Sequence, residues 1–151
     1  MVYLTDAREK NVKRKAGDVA YFEAGKSVGE NTSGKPFEAI VVQLKPGAPK
    51  SPLLTLDPVK LDPKHHTVPI ENAQVRVLRT ILEPGLKGPM HEHMHYVVVY
   101  LSDLHTNQTL TNGTIVDNLR KRGEVGWREA VKHQAENVGD KRAEEIQIEI
   151  K

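Results

Sequence analysis

Hydrophobic and polar positions alternate with period two over much of the chain. Ile146, Ile148 and Ile150 interleave with Gln147 and Glu149, Ile40, Val42 and Leu44 with Val41 and Gln43, and Val75, Val77 and Arg79 with Arg76, Leu78 and Thr80. Such alternation predicts strands with one buried face. YVVVYL (96–101) is apolar on both faces, as a strand covered on both sides would be. No amphipathic helix longer than two turns is legible. The pattern predicts an all-β fold of short strands and frequent turns, a barrel or sandwich.

The chain also repeats itself. Residues 14–45 lie without a gap on residues 120–151 at a constant offset of 106, with 13 of 32 positions identical. Upstream, VYLTD (2–6) matches VYLSD (99–103) at an offset of 97, so the second copy holds nine extra residues, around TNQTLTNGTIVDN, expected to form a loop. The stretch from about 66 to 98 has no counterpart after Met1, so the first copy reads as incomplete. Between the copies, residues 46–64 carry five of the nine prolines and read as an extended linker. The expected organisation is a partial repeat over 1–45, a Pro-rich linker over 46–65 and a complete barrel over 66–151. A half barrel exposes unpaired strand edges, which predicts a homodimer.

Composition narrows the chemistry. A net charge of +2 from 22 basic and 20 acidic residues gives no reason to expect nucleic-acid binding. No apolar run approaches the roughly 20 residues of a membrane helix, and MVYLTDAREKNVKRK turns charged too soon for a signal peptide, so a cytoplasmic protein without membrane contact is expected. With no Cys, disulfides, thiolate ligands and a Cys nucleophile are excluded, and any metal falls to His and carboxylates.

His91, His93 and His95 stand in GPMHEHMHYVVV with a spacing of two, which puts them on one face of a strand. Burying several imidazoles together is costly unless each is hydrogen-bonded or bound to a metal; a solvated strand end is the alternative. His133 in WREAVKHQAENVGD sits in an expected strand–turn–strand that could approach the pair across a barrel. At these residues the chain resembles the cupin superfamily. Gly85, LKGPM, His91, Glu92 and His93 match the family's first motif, and Gly123, Glu124, His133 and Asn137 match the second, with the interior one residue short and without the usual Pro and Gly. The resemblance implies a jelly-roll, or double-stranded β-helix, barrel. The motif's Glu would fall at position 97 or 98, and both are Val; in the first copy Ser27 takes the place of His133 and the HxH segment is absent.

His91, His93 and His133 are therefore the expected ligands of a divalent transition metal (Fe, Ni, Zn, Cu or Mn), since imidazole suits these ions. Cupins with three His and no Glu include dioxygenases, so the resemblance implies a metal-dependent dioxygenase or related small-molecule enzyme; the alternative is a non-catalytic small-molecule-binding or structural barrel. His95, Tyr96, Val97, Tyr100 and Trp127 are the expected pocket lining, with Met90 and Met94 beside them. His65 and His66 follow the linker and are expected in solvent. Glu129 and Glu136 would serve as acid or base only by pointing inward. The KNVKRK run (10–15) reads as a solvated hairpin turn.

Overall fold

The computed structural model describes residues 1–9, 12–23, 25, 30–47 and 50–151. It divides into two compact units, Met1–Leu44 and Lys45–Lys151. The first holds β1 (Val2–Tyr3), β2 (Ala7–Glu9), β3 (Val12–Arg14) and β4 (Ala39–Ile40). The second opens on α1 (Pro58–Leu61) and continues with β5 (His66–Glu71), β6 (Val75–Leu82), β7 (His91–His93), β8 (Tyr96–Tyr100), β9 (Leu104–Leu110), β10 (Ile115–Arg120), β11 (Val125–Arg128), β12 (Val131–Asn137) and β13 (Ala143–Ile150). Its strands form two antiparallel sheets, ordered β10-β9-β12-β7 and β11-β8-β13-β6-β5. This is the expected jelly-roll barrel. Among the described residues, no helix is long and apolar enough to cross a membrane.

Within the first unit the pairing follows that of the second at the sequence offsets. Val2↔Ile40 and Tyr3↔Ala39 correspond to Val99↔Ile146 and Tyr100↔Glu145. The bridges Val2↔Val19 and Glu9↔Asn31 correspond to Val99↔Val125 and Thr106↔Asn137. Gly17 and Gly123, both at positive φ, donate their N–H to Tyr3 and Tyr100; the same turn needs glycine in both places. β2 pairs with β3 across residues 10 and 11, which, like Ser27, lie outside the described residues.

Three expectations need correction. The nine-residue insertion is no loop: it lengthens the β9–β10 hairpin, paired from Ile115↔Thr109 to Arg120↔Leu104, because its threonines suit strands and Asn112-Gly113 closes the turn. Residues 46–65 are not a free linker. Asp57 caps α1 by accepting from Val59 N and also pairs with Arg76 at 2.9 Å, while Thr55 and Leu56 donate their N–H groups to the Glu92 carboxylate and Ser51 Oγ donates to Ile150 O. Prolines stop a ladder but leave side chains and remaining amides free to dock. Finally, β13 is not half-buried, since Gln147 and Glu149 are buried along with Ile146, Ile148 and Ile150. The polar side of this strand meets Arg76, Leu78 and Thr80 of β6, and it lines the inside of the barrel near the histidines.

Candidate metal centre

β7 is only three residues long, and its alternation sends His91 and His93 to the buried side and Glu92 outward to residues 55 and 56. β12 pairs with it in the register His133↔His91, which brings the third imidazole alongside. One ring nitrogen from each of His91, His93 and His133 lies within 4.8 Å of the others, and all three side chains are buried.

Hydrogen bonding fixes which nitrogens face inward. His91 Nδ1 lies 2.9 Å from Pro89 O, an acceptor only, so this nitrogen carries the hydrogen. His93 Nδ1 lies 2.9 Å from Glu149 Oε1 and donates to that carboxylate, whose Oε2 accepts from Arg76 Nε at 2.7 Å. Both Nε2 atoms are then bare lone pairs, and they face each other at 3.0 Å. His133 has no hydrogen-bond partner at either ring nitrogen. Two opposed lone pairs and a buried orphan imidazole are unfavourable by themselves and become favourable around a cation.

Protons do not supply that cation readily. Burial holds His93 and His133 well below the ordinary histidine range, and the neighbouring histidines push the same way. Burial also lowers His91. Neutral imidazole is the form that binds metal, so the residues present fit a divalent transition ion. Three His can hold such an ion; Val97 and Val98 add no donor.

Sequence reading missed the groups behind and beside the trio. Asp57, Arg76, Glu149 and His93 form one chain of contacts, at 2.9, 2.7 and 2.9 Å in turn, that sets the tautomer of His93. Its members are up to 92 positions apart, and Asp57, Arg76 and Glu149 stand in no motif, so nothing in the sequence pattern joins them to His93. Glu149→Gln is expected to weaken zinc binding about 10- to 100-fold; a zinc titration of the variant checks this. His66, expected in solvent, is buried, with its ring 5.2 Å from that of His91 and its pKa lowered to about 4 by burial and by His91. His65 is partly buried and bound to Asp62.

The expected pocket lining does not converge on one place. Tyr96, Val98 and Tyr100 share the inner face of β8 and belong to the packed core with Leu82, Leu104 and Ala143. Val97 alternates to the other face. Trp127 is 45% exposed and stacks on His95, their rings 3° from parallel, and both pair with the exposed Glu129. Glu136 pairs with Lys87 near the surface. Neither glutamate turns inward. The cavity beside the trio, about 490 Å³ counting the space at its open mouth, is lined by His66, His91 and His133 and by Thr80, Gln147 and Glu145 on the facing sheet, among others. The polar side of β13, not the aromatic side of β8, forms its wall.

Comparison with known proteins bears on the fold. No protein-family model matches the chain, and no curated protein matches it. Among solved structures, a cupin domain from Bordetella pertussis Tohama I is 33% identical and superposes with a TM-score of 0.53, over 57% of this chain and 91% of that one. An RmlC-like cupin family protein with a double-stranded β-helix fold from Methanocaldococcus jannaschii is 12% identical with a TM-score of 0.46, over 74% of this chain and 90% of that one.

Proposed function

The chain belongs to the cupin superfamily, and from that footing we propose that it holds one divalent transition metal at His91, His93 and His133 and uses it on a small molecule, as a dioxygenase or related metal-dependent enzyme. One observation carries the reading: with neutral rings, the Nδ1 hydrogen bonds of His91 and His93 leave their Nε2 atoms bare and opposed at 3.0 Å, beside an imidazole with no hydrogen-bond partner. A bound metal would supply Lewis-acid or redox chemistry at positions open to the cavity. The chain's own residues do the rest. Glu149 and Arg76 hold His93 in its tautomer, Pro89 holds His91, and the barrel walls keep bulk water from the trio. Thr80, Gln147 and Glu145 offer polar contacts to whatever enters.

Elemental analysis of protein purified without an affinity tag tests the reading. About one equivalent of transition metal per chain supports it. A metal-free protein that also takes up none of Fe, Ni, Zn, Cu or Mn contradicts it and favours the non-catalytic barrel.

The first unit is, on this reading, a partial cupin copy; its matching strand registers support the assignment. Its β4 pairs only with β1 among the described residues, where the corresponding β13 pairs on both sides with β8 and β6. An edge left in this way invites a second chain. The protein is expected to sediment as a homodimer at micromolar concentration, and a monomer there would contradict that assembly.

A further inference from the structure

The cavity has two walls of different character. On one stand His91 of β7 and His133 of β12. On the other, cross-strand register places Glu145 of β13 opposite Thr80 of β6, and Thr80 opposite His66 of β5, so that a row of three polar side chains runs across the sheet and ends at the ring that touches His91. Among the described residues that line the cavity, Glu145 is the one carboxylate.

Its setting is built. Thr80 Oγ1 donates to Gln147 Oε1 at 3.0 Å, which turns the amide so that Nε2 donates to Glu145 Oε1 at 2.9 Å. Glu149, the other acidic side chain inside the barrel, is committed to Arg76 and His93. We propose that Glu145 is the acid–base group of this cavity, serving a small ligand that binds the trio through an oxygen and carries an acidic proton beside that oxygen. The inference rests on the metal reading above.

The step balances without a further reactant. A Glu145 carboxylate oxygen bonds the ligand's proton, the C–H or O–H bond breaks, and its electron pair stays on the ligand; returning the proton restores both groups. The surroundings suit that exchange. Burial lifts the Glu145 carboxyl to about 7, against the opposing pull of Arg128 and the Gln147 hydrogen bond. Arg128 of β11 is the charged group facing it, Tyr96 of β8 is kept neutral by burial, and His66, held down to about 4, is neutral too. Between pH 6 and 8 the cavity wall therefore changes charge at Glu145.

Two measurements on the whole chain test this, with Glu145→Gln as the variant that keeps a hydrogen-bonding side chain of the same length but cannot take the proton. First, the Glu145 carboxyl is followed by ¹³C NMR in metal-free and zinc-loaded protein, its resonance assigned by the variant. Zinc at the trio is expected to lower the midpoint by about one unit or more, and by reciprocity the variant binds zinc about tenfold more weakly at pH 8. Second, acetohydroxamic acid, which offers oxygen donors and an acidic proton together, is titrated into the zinc-loaded proteins; the variant is expected to bind it about tenfold more weakly. Zinc binding with an unmoved Glu145 midpoint, or equal hydroxamate affinities, would overturn the proposal and leave the metal site intact. A wild-type protein that takes no zinc fails the metal reading, and this one with it.

Discussion

His133→Leu is expected to cut zinc affinity about a hundredfold or more while making the metal-free protein more stable. The two effects have one origin. His133 brings two buried nitrogens with no partner, and leaving a buried polar group unsatisfied costs about 1–3 kcal/mol. Leucine occupies a similar volume without that cost, so the metal-free variant should gain about 1–3 kcal/mol, readable as a shift in denaturant midpoint. The metal loses one of three ligands, a heavier loss than the 10- to 100-fold expected of disturbing the groups behind them. His65→Ala, whose ring is tied to Asp62, should leave zinc affinity unchanged. Equal loss in both variants would place the site elsewhere, and a His133→Leu protein that is both metal-competent and destabilised would make His133 a packing residue.

Mild acid should destabilise the metal-free protein through its buried histidines. The sign follows from proton counting: His66, His93 and His133 are held below their ordinary value by burial, so between their folded pKa and about 6.5 the unfolded chain binds more protons, and stability falls as pH falls through that window. At pH 5 His66, with its folded pKa of about 4, stays largely neutral about 1.5 units below its unfolded pKa, which costs about 2 kcal/mol, and His93 and His133 act in the same direction. Glu145 works in the other direction. Its folded pKa of about 7 lies above the unfolded value, so it gains stability on acidification, about 2 kcal/mol between pH 7 and 5. His66 and Glu145 thus nearly offset each other, so the net loss is set by His93 and His133 and should appear as a lower unfolding temperature at pH 5 than at pH 7. Calorimetry of metal-free protein at pH 7 and pH 5 checks this; no change would mean the histidines are not buried in neutral form. His66→Gln should remove about 2 kcal/mol of the acid-induced loss.

The trio was readable in sequence for a geometric reason. A spacing of two on a strand places His91 and His93 on one face whatever the surroundings, and an antiparallel partner needs only the right register to bring His133 alongside. The matching strand registers of residues 14–45 and 120–151 were foreshadowed for a similar reason, since identity at a constant offset marks equivalent positions before any contact is known. What alternation does not tell is which face of a strand is inside. For β13 the apolar residues Ile146, Ile148 and Ile150 suggested the interior, yet Glu145, Gln147 and Glu149 are the ones that meet the site. A barrel whose interior holds a charged network inverts the usual rule, and both faces of β13 end up buried. His66 was misplaced for want of its neighbours: only the docking of α1 and the turn after Asp62 carry it beneath His91. The aromatic wall failed because Tyr96 and Tyr100 pack the core, and Trp127 finds its partner in His95 on the outside.

The central claim is that three imidazoles, and no carboxylate, are the protein's metal ligands. X-ray absorption at the metal edge of the zinc-loaded chain tests it most directly. The account predicts three nitrogen scatterers at about 2.0–2.1 Å with the multiple-scattering pattern of imidazole, the remaining positions filled by light oxygen donors, and loss of one imidazole contribution in His133→Leu loaded at high zinc. A shell of oxygen scatterers without the imidazole pattern, or a spectrum that His133→Leu leaves unchanged, would contradict it.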